Sequence, residues 1–178
     1  TFFCDAFKGG IPALITYFVY RSYYFSGTNV VVSDFTRYFC GACVIIGHIF
    51  PITMKFHGGK GIASTLGLFW INLGCENPWF LLVGFAAFWL IAFYIAGTEW
   101  GSMGSLIGVS GFGLWQGVIF WLRYRTEINN PYVIALFMLV LLINFLTWFA
   151  HRKNILRLLS GEEHRTSVKK MLHKKKKA

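Results

Sequence analysis

The stretch GHIFPITMKFHGGKGIAST, residues 47–65, joins two apolar segments through a glycine-rich turn that carries two lysines. Gly58, Gly59 and Gly61 permit backbone conformations and close approaches that side chains prevent. Successive N–H groups ahead of a helix N-terminus form an anion-binding site, to which Lys60 adds a positive charge. The spacing is not that of a Walker loop. The stretch therefore predicts either a phosphate-binding turn or a plain tight turn whose lysines mark a membrane edge.

The composition on both sides of this turn is that of an integral membrane protein. Hydrophobic residues make up 56% of the 178 residues and charged residues only 13%, against about 25% in soluble domains. Ten of the 17 Lys and Arg residues follow position 150. We therefore expect a transmembrane region over residues 1–150 and a basic tail over 151–178, which the positive-inside rule places in the cytoplasm.

The apolar segments predict an all-α, polytopic helical bundle with about six spans. The fourth to sixth spans are uncharged and long enough to cross a bilayer. The third has 14 residues and reaches roughly 21 Å, short of the ~30 Å hydrocarbon core, so it either crosses with polar ends or is re-entrant. The predicted spans are residues 2–20, 38–54, 61–74, 78–96, 103–122 and 131–149.

Local features refine this picture. The polar residues between 21 and 37 indicate a loop, and Pro131 is suited to open the last helix. His48 and Pro51 within one span suggest a kink that faces protein or water. Cys40 and Cys43 are expected to be buried apolar residues and not a metal or redox pair. Asp5 and Lys8 lie near one end of the first span, where charged side chains can reach the membrane interface, and their separation of about one turn also allows them to pair.

The number of crossings decides whether the polar segments meet. If residues 61–74 cross, the glycine turn, the Asp5 and Lys8 end, the loop at residues 98–102 and the tail all lie on one membrane face. If they are re-entrant, the turn and the tail lie on opposite faces. Convergence favours crossing and predicts one shared site.

Such a site would be rich in cations and hydrogen-bond donors, with few carboxylates, and is therefore suited to anions. The histidines have no partner at metal-ligand spacing, so no metal site is expected. No histidine is followed by an aspartate five positions later, and Asp5 and Asp34 are the only aspartates. The chain therefore lacks the signatures of thioester-dependent glycerolipid acyltransferases and of CDP-alcohol phosphotransferases.

Three blocks carry a resemblance to the bacterial membrane acyl-phosphate:glycerol-3-phosphate acyltransferases of the PlsY type. They are DAFKGGIP at residues 5–12, the stretch at 47–65, and HRKNILRLLSGEE at 151–163. The family writes them D-x-x-K-G-x-x-P, G-H-x-F-P-x-x-x-x-F-x-G-G-K-G-x-A-T and N-I-x-R-L-x-x-G-x-E. Two departures stand out. The family's first motif, S-G-N-x-G-A-T-N, would lie upstream of Thr1, and Glu99 replaces an arginine of the loop at 98–105.

The resemblance implies a seven-span bundle, of which this chain holds six, that transfers a fatty acyl group from acyl phosphate to the 1-hydroxyl of glycerol 3-phosphate. The products would be lysophosphatidic acid and phosphate. It implies no cofactor, no metal and no nucleic acid. The expected setting is the bacterial cell membrane and its lipid, as a monomer with the site facing the cytoplasm, served by the enzyme that forms acyl phosphate.

The resemblance also assigns roles to residues. The glycine turn and Lys60 are expected to hold the acyl-phosphate headgroup, the tail block glycerol phosphate, and the space between helices the acyl chain. The expected catalytic residues are Lys60, His151 and Asn154. The expected substrate-binding residues are Gly58, Gly59, Gly61, Lys55, His48, Thr65, Ser102, Arg157 and Glu163, with Asp5 and Lys8 structural.

Two other functions stay open at this stage. A carrier for a phosphorylated solute would also use a cationic pocket within the membrane. An inactive fragment of the acyltransferase is the second alternative, because the first motif is absent. The tail block itself allows a further reading, a basic helix held to anionic lipid in which Asn154 has no function.

Overall fold

A computed structural model describes residues 2–56 and 58–162 of the chain. Over these residues the fold is helical, with short 3-10 turns at Ile52–Met54 and Arg125–Glu127. The all-α prediction is confirmed, and the helices are α1 Phe2–Tyr20, α2 Val32–Ile49, α3 Ile62–Glu76, α4 Trp79–Thr98, α5 Gly101–Tyr124, α6 Pro131–Ala150 and α7 Arg152–Leu159.

The chain is a multi-pass membrane protein by the length and polarity of its helices. Five segments of the described chain are long and apolar enough to cross a bilayer: Phe2–Tyr20, Val32–Met54, Trp79–Thr98, Gly101–Glu127 and Pro131–Ala150. The 15-residue α3 is shorter, about 22 Å at 1.5 Å per residue. It nevertheless runs from one end of the bundle to the other, since the cavity lined by Ile62 lies at one end and Glu76 binds Arg37 and Arg123 at the other. Helices α1 to α6 therefore alternate in direction, as crossing requires.

Close contact between α1 and α3 determines the position of the first turn of α3. A Cβ atom added to Gly9 would lie 2.0 Å from the Ser64 carbonyl oxygen, and one added to Gly67 would lie 2.2 Å from that of Ala6. Small residues at these positions let two helix backbones touch, as is common in membrane bundles. The contact holds the first turn of α3, directly after the glycine turn, against the Asp5 end of α1.

A group of four charged side chains closes the opposite end of the bundle. Arg37 NH2 lies 2.5 Å from Asp34 Oδ1 and 2.8 Å from Glu76 Oε1. Arg123 NH1 donates to Asp34 Oδ2 at 2.8 Å, and Arg123 NH2 also donates to Glu76. Arg37 is buried, with 1% of its surface exposed. We call Asp34, Arg37, Glu76 and Arg123 the charged quartet, and it ties α2, α3 and α5 together.

The quartet explains one wrong prediction. The polar residues before position 38 indicated a loop, but α2 begins at Val32 and includes Asp34 and Arg37. Paired charges are tolerated inside a membrane helix when they face the bundle, and both of these are buried. Composition alone could not reveal that partners on α3 and α5 neutralise them.

Two further expectations need correction. Pro51 does not kink a helix, because α2 ends at Ile49 and Pro51 precedes the 3-10 turn. The chain breaks there because proline has no N–H for a helical bond and disfavours helix at the preceding residue. Cys43 is exposed on the outer surface of α2 and Cys40 is half-buried, so they are not a buried pair. Pro131 does open α6, and the Asn130 side chain accepts a hydrogen bond from Tyr132 N at 3.0 Å.

Candidate active site

A cavity of about 700 Å³ lies at the end of the bundle where α2, α4 and α6 finish and α1, α3 and α5 begin. The predicted convergence is confirmed, since all four polar segments contribute to its wall. We call it the polar cavity. Its lining includes Asp5, His48, Gly59, Lys60, Gly61, Ser102, Ser105, His151, Asn154 and Arg157.

The glycine turn enters the polar cavity and is too tight for side chains. A Cβ atom at Gly58 would fall 2.2 Å from the His48 carbonyl oxygen and 2.4 Å from Pro51 Cδ. Gly61 has a φ of +77°, in the left-handed region that favours glycine. It directly precedes α3, whose first N–H groups have no partner within the helix. Lys60 therefore stands beside a helix N-terminus, an arrangement that favours anions.

His48 lies between the turn and α1. Its Nδ1 is 3.9 Å from Asp5 Oδ1, and its carbonyl accepts a hydrogen bond from Gly59 N at 3.2 Å. A Cβ at Gly59 would fall 2.3 Å from His48 Nε2, so the ring rests on the glycine backbone. Lys8 Nζ binds Asp5 Oδ1 at 3.0 Å, so the two side chains form the ion pair that their spacing allows.

The tail block faces the turn across the polar cavity. His151, Asn154 and Arg157 are spaced three residues apart and lie on one side of α7, lining the polar cavity. Asn154 Nδ2 donates to Ser102 Oγ at 2.6 Å, and Arg157 NH2 donates to Asn154 Oδ1 at 2.7 Å. Asn154 is 7% exposed. It therefore bridges the start of α5 to the guanidinium of Arg157.

A glycine C-cap ends α7. Gly161 has a φ of +74°, and Glu162 N donates to the Arg157 carbonyl at 2.8 Å. This left-handed glycine with its backward hydrogen bonds is a Schellman-type C-cap. Helix α7 therefore ends at Leu159, two residues after Arg157.

The ring of His151 is fixed by a backbone carbonyl. His151 Nδ1 lies 2.9 Å from the Thr147 carbonyl oxygen, and the residue is 2% exposed. Because a carbonyl oxygen only accepts, Nδ1 carries the proton, and in the neutral ring Nε2 is the basic nitrogen.

A second, apolar cavity of about 1,090 Å³ lies between α1 and α2. Its wall is mostly Cys4, Phe7, Ile11, Pro12, Val44, Pro51 and Met54. We call it the apolar groove. It shares His48 and Gly59 with the polar cavity, so the apolar groove and the polar cavity meet at these two residues.

The structure brings together most of the predicted site residues, but not all of them. Lys55 has a left-handed φ of +51° and is exposed outside the lining of both cavities. Thr65 is fully buried and contacts Thr147 instead of the polar cavity. Glu163 lies outside the described residues. Gly58 and Lys8 line the apolar groove instead of the polar cavity. Within the described ranges, no three His, Cys, Asp or Glu residues cluster as metal ligands would.

Sequence reasoning missed Thr147 and Ser105. Thr147 stands in an apolar helix with no surrounding motif. Ser105 belongs to the block at 98–105, from which only Ser102 was assigned to the site. The packing of α6 and α5 brings both residues there. Glu99, which replaces a family arginine, has a φ of +62° and caps α4 without lining the polar cavity.

Comparison with known proteins agrees with this geometry. A family model described as "Glycerol-3-phosphate acyltransferase" matches residues 1–161. The glycerol-3-phosphate acyltransferase of Gluconobacter oxydans is 32% identical over 94% of this chain and 69% of its own. That of Clostridioides difficile is 31% identical over 96% of this chain and 71% of its own.

Solved structures show the same fold. The crystal structure of PlsY, an integral membrane glycerol 3-phosphate acyltransferase, in its glycerol 3-phosphate form gives a TM-score of 0.68. It is 26% identical, with 96% of this chain and 72% of PlsY covered. The lysophosphatidic acid form of the same protein gives 0.65, at 26% identity over 92% of this chain and 69% of PlsY.

Proposed function

Because the chain belongs to the glycerol-3-phosphate acyltransferase family, we propose that it transfers a fatty acyl group from acyl phosphate to the 1-hydroxyl of glycerol 3-phosphate, without coenzyme A. The observation that carries the proposal is the meeting of the apolar groove and the polar cavity at His48 and Gly59. An acyl phosphate has an apolar chain and an anionic head, and its reacting carbonyl lies where the two join.

The donor is proposed to lie across this junction. Its chain occupies the apolar groove, where Phe7, Ile11 and Val44 form part of the wall. Its phosphate binds the ammonium of Lys60 and the N–H groups of Gly61 and of the first turn of α3. The Gly59 N–H already donates to the His48 carbonyl, so Gly59 contributes by its lack of a side chain. The phosphate then sits at the N-terminus of α3, where the helix dipole and backbone donors favour an anion. Burying the chain orients the carbonyl towards the polar cavity.

The acceptor is proposed to bind on the α7 side. Arg157 offers planar donors that match a phosphate, and Asn154 fixes the position of its guanidinium. His151, with its proton on Nδ1, presents a basic Nε2 to the acceptor hydroxyl. In this arrangement the two phosphates bind to opposite walls and the hydroxyl approaches the carbonyl between them.

The reaction needs no enzyme nucleophile, because acyl phosphate is already activated. The hydroxyl oxygen attacks the carbonyl carbon, its proton passes to His151 Nε2 or to the departing phosphate, and the carbon–oxygen bond to phosphate breaks. Lys60 and the turn N–H groups stabilise the negative charge that develops on the donor. Orientation of two bound substrates and electrostatic stabilisation are together able to supply most of the acceleration.

The same proposal sets the protein in its cellular context. We place it in the bacterial cell membrane with the polar cavity and the basic tail facing the cytoplasm, where the positive-inside rule puts such a tail. It would act as a monomer on donor supplied by the enzyme that forms acyl phosphate. Residues 1–150 would be the catalytic membrane domain and residues 151–178 a tail that contributes α7 to the site.

The test is a reaction of the purified chain in detergent with palmitoyl phosphate and radiolabelled glycerol 3-phosphate. We expect lysophosphatidic acid and free phosphate in equal amounts, and no product when palmitoyl-CoA replaces palmitoyl phosphate. Product from palmitoyl-CoA at a similar rate would refute the choice of donor. Uptake of glycerol 3-phosphate into vesicles without product would favour the carrier.

A further inference from the structure

Two buried threonines connect the walls of the polar cavity. Thr65 stands in the first turn of α3, five residues after Lys60, and Thr147 stands in the last turn of α6, four residues before His151. Their hydroxyl oxygens lie 3.1 Å apart, and both residues are fully buried. The contact joins the helix that follows the glycine turn to the helix that leads into α7.

The direction of this hydrogen bond follows from the other partners. Thr147 Oγ1 donates to the Ile143 carbonyl at 3.0 Å, which uses its single proton. Thr65 Oγ1 must therefore donate to Thr147 Oγ1. Thr65 therefore donates a hydrogen bond from α3 to the last turn of α6, in addition to the one that Trp148 Nε1 of the same turn donates to Ser110 Oγ of α5.

That same turn carries the acceptor that orients the catalytic histidine. The Thr147 carbonyl lies 2.9 Å from His151 Nδ1 and 3.2 Å from His151 N. A shift of Thr147 would move this oxygen, and the imidazole with it. Displacements of about 1 Å in catalytic groups are enough to slow a reaction strongly.

We infer that Thr65 and Thr147 are positioning residues that fix the tautomer and the orientation of His151 relative to the glycine turn. The inference rests on the proposed function for its kinetic consequence, but its geometry does not. It replaces the sequence-based assignment of Thr65 as a substrate ligand, because a fully buried hydroxyl that donates to Thr147 is not presented to the polar cavity.

The experiment compares variants that remove the hydroxyl but keep the shape. Thr65→Val, Thr147→Val and the double variant are assayed for acyl transfer, together with Thr65→Ser. Thr16→Val is the matched control, because Thr16 Oγ1 bonds the Ala13 carbonyl of its own helix at 2.9 Å. Rates are expressed per folded protein, as determined by gel filtration and thermal unfolding.

We expect kcat to fall about 5- to 10-fold in each single valine variant, roughly what the loss of one hydrogen bond of about 1 kcal/mol produces. The KM values for both substrates should stay within about twofold. The double variant should be no slower than the slower single, since both remove the same bond. Thr65→Ser should restore most of the rate, and Thr16→Val should behave like the parent.

Three outcomes would overturn the inference. A raised KM for one substrate in Thr65→Val, with normal kinetics in Thr147→Val, would make Thr65 a substrate ligand after all. Multiplicative losses in the double variant would mean that the two hydroxyls act separately. Lost thermal stability with unchanged kcat would mean that the pair only holds helices together.

A spectroscopic arm separates this inference from the proposed function. If the parent chain forms no lysophosphatidic acid, the proposed function fails, and the side-chain ¹⁵N signals of His151, assigned by their loss in His151→Gln, still report the geometry. We expect a single Nδ1-protonated tautomer in the parent and a mixture of tautomers or a broadened signal in Thr65→Val. An identical His151 signal in both proteins would overturn the inference.

Discussion

Replacing Asn154 with alanine tests the α7 wall of the site most directly. Asn154 accepts a 2.7 Å hydrogen bond from the Arg157 guanidinium and donates a 2.6 Å bond to Ser102 Oγ. A hydrogen bond to a charged group contributes about 1.5–3 kcal/mol, and a neutral one about 0.5–1.5 kcal/mol. If both serve mainly to hold Arg157 on the acceptor phosphate, their loss costs about 2–4.5 kcal/mol of transition-state stabilisation.

At about 1.4 kcal/mol per factor of ten, Asn154→Ala should lower kcat/KM for glycerol 3-phosphate roughly 30- to 1,600-fold. The KM for palmitoyl phosphate should change little, because the donor is proposed to bind the opposite wall. Ser102→Ala removes only the neutral bond and should cost between about 2- and 12-fold. The assay is initial-rate formation of lysophosphatidic acid with each substrate varied in turn.

Asn144→Ala is the matched control for this substitution. Asn144 is an asparagine on α6 whose side-chain nitrogen donates to the Val140 carbonyl of its own helix, and it does not line the polar cavity. We expect near-parent kinetics. If Asn154→Ala and Asn144→Ala have the same kcat/KM for glycerol 3-phosphate, α7 is a lipid-bound anchor and the acceptor binds elsewhere.

The remaining predictions concern the turn and the opposite end of the bundle. Lys60→Ala should lower the initial rate about 100-fold or more, as losses of such electrostatic donors do. Lys55 lies outside both cavities, so Lys55→Ala should have a small effect. Equal, mild losses in the two variants would refute a role of Lys60 in binding phosphate. Gly59→Ala should displace His48 and raise the KM for palmitoyl phosphate. Gly111→Ala, whose Cβ meets nothing within 4 Å and which lines neither cavity, should not, and normal kinetics in both variants would refute the junction. Arg37→Met should destabilise the protein by about 3–5 kcal/mol, because Asp34 and Glu76 lose a buried partner. Thermal unfolding in detergent with exposed Arg21→Met as control measures this, and similar melting temperatures would show that the charged quartet contributes nothing.

Much of the fold and the residues of the glycine turn could be predicted from the sequence because they depend on local chemistry. Long uncharged apolar runs are typical of membrane helices, and Pro131 and Gly161 act within one turn of their own positions. The glycine and lysine pattern at residues 58–61 likewise reports a conformation and a charge that no distant residue supplies. The spacing of His151, Asn154 and Arg157 placed them on one side of a helix for the same reason.

The tertiary structure decided what depends on partners far apart in the chain. The sequence predicted a loop at Asp34 and Arg37, because the partners that neutralise these charges are contributed by α3 and α5. Thr65 was predicted to bind substrate because its motif lies beside the glycine turn. In the structure α3 packs against α6, and the Thr65 hydroxyl contacts that of Thr147. The apolar groove exists only where α1 and α2 meet, and no periodicity within either helix encodes it. Burial and pairing are properties of neighbours in space, and a sequence specifies those neighbours only through the complete fold.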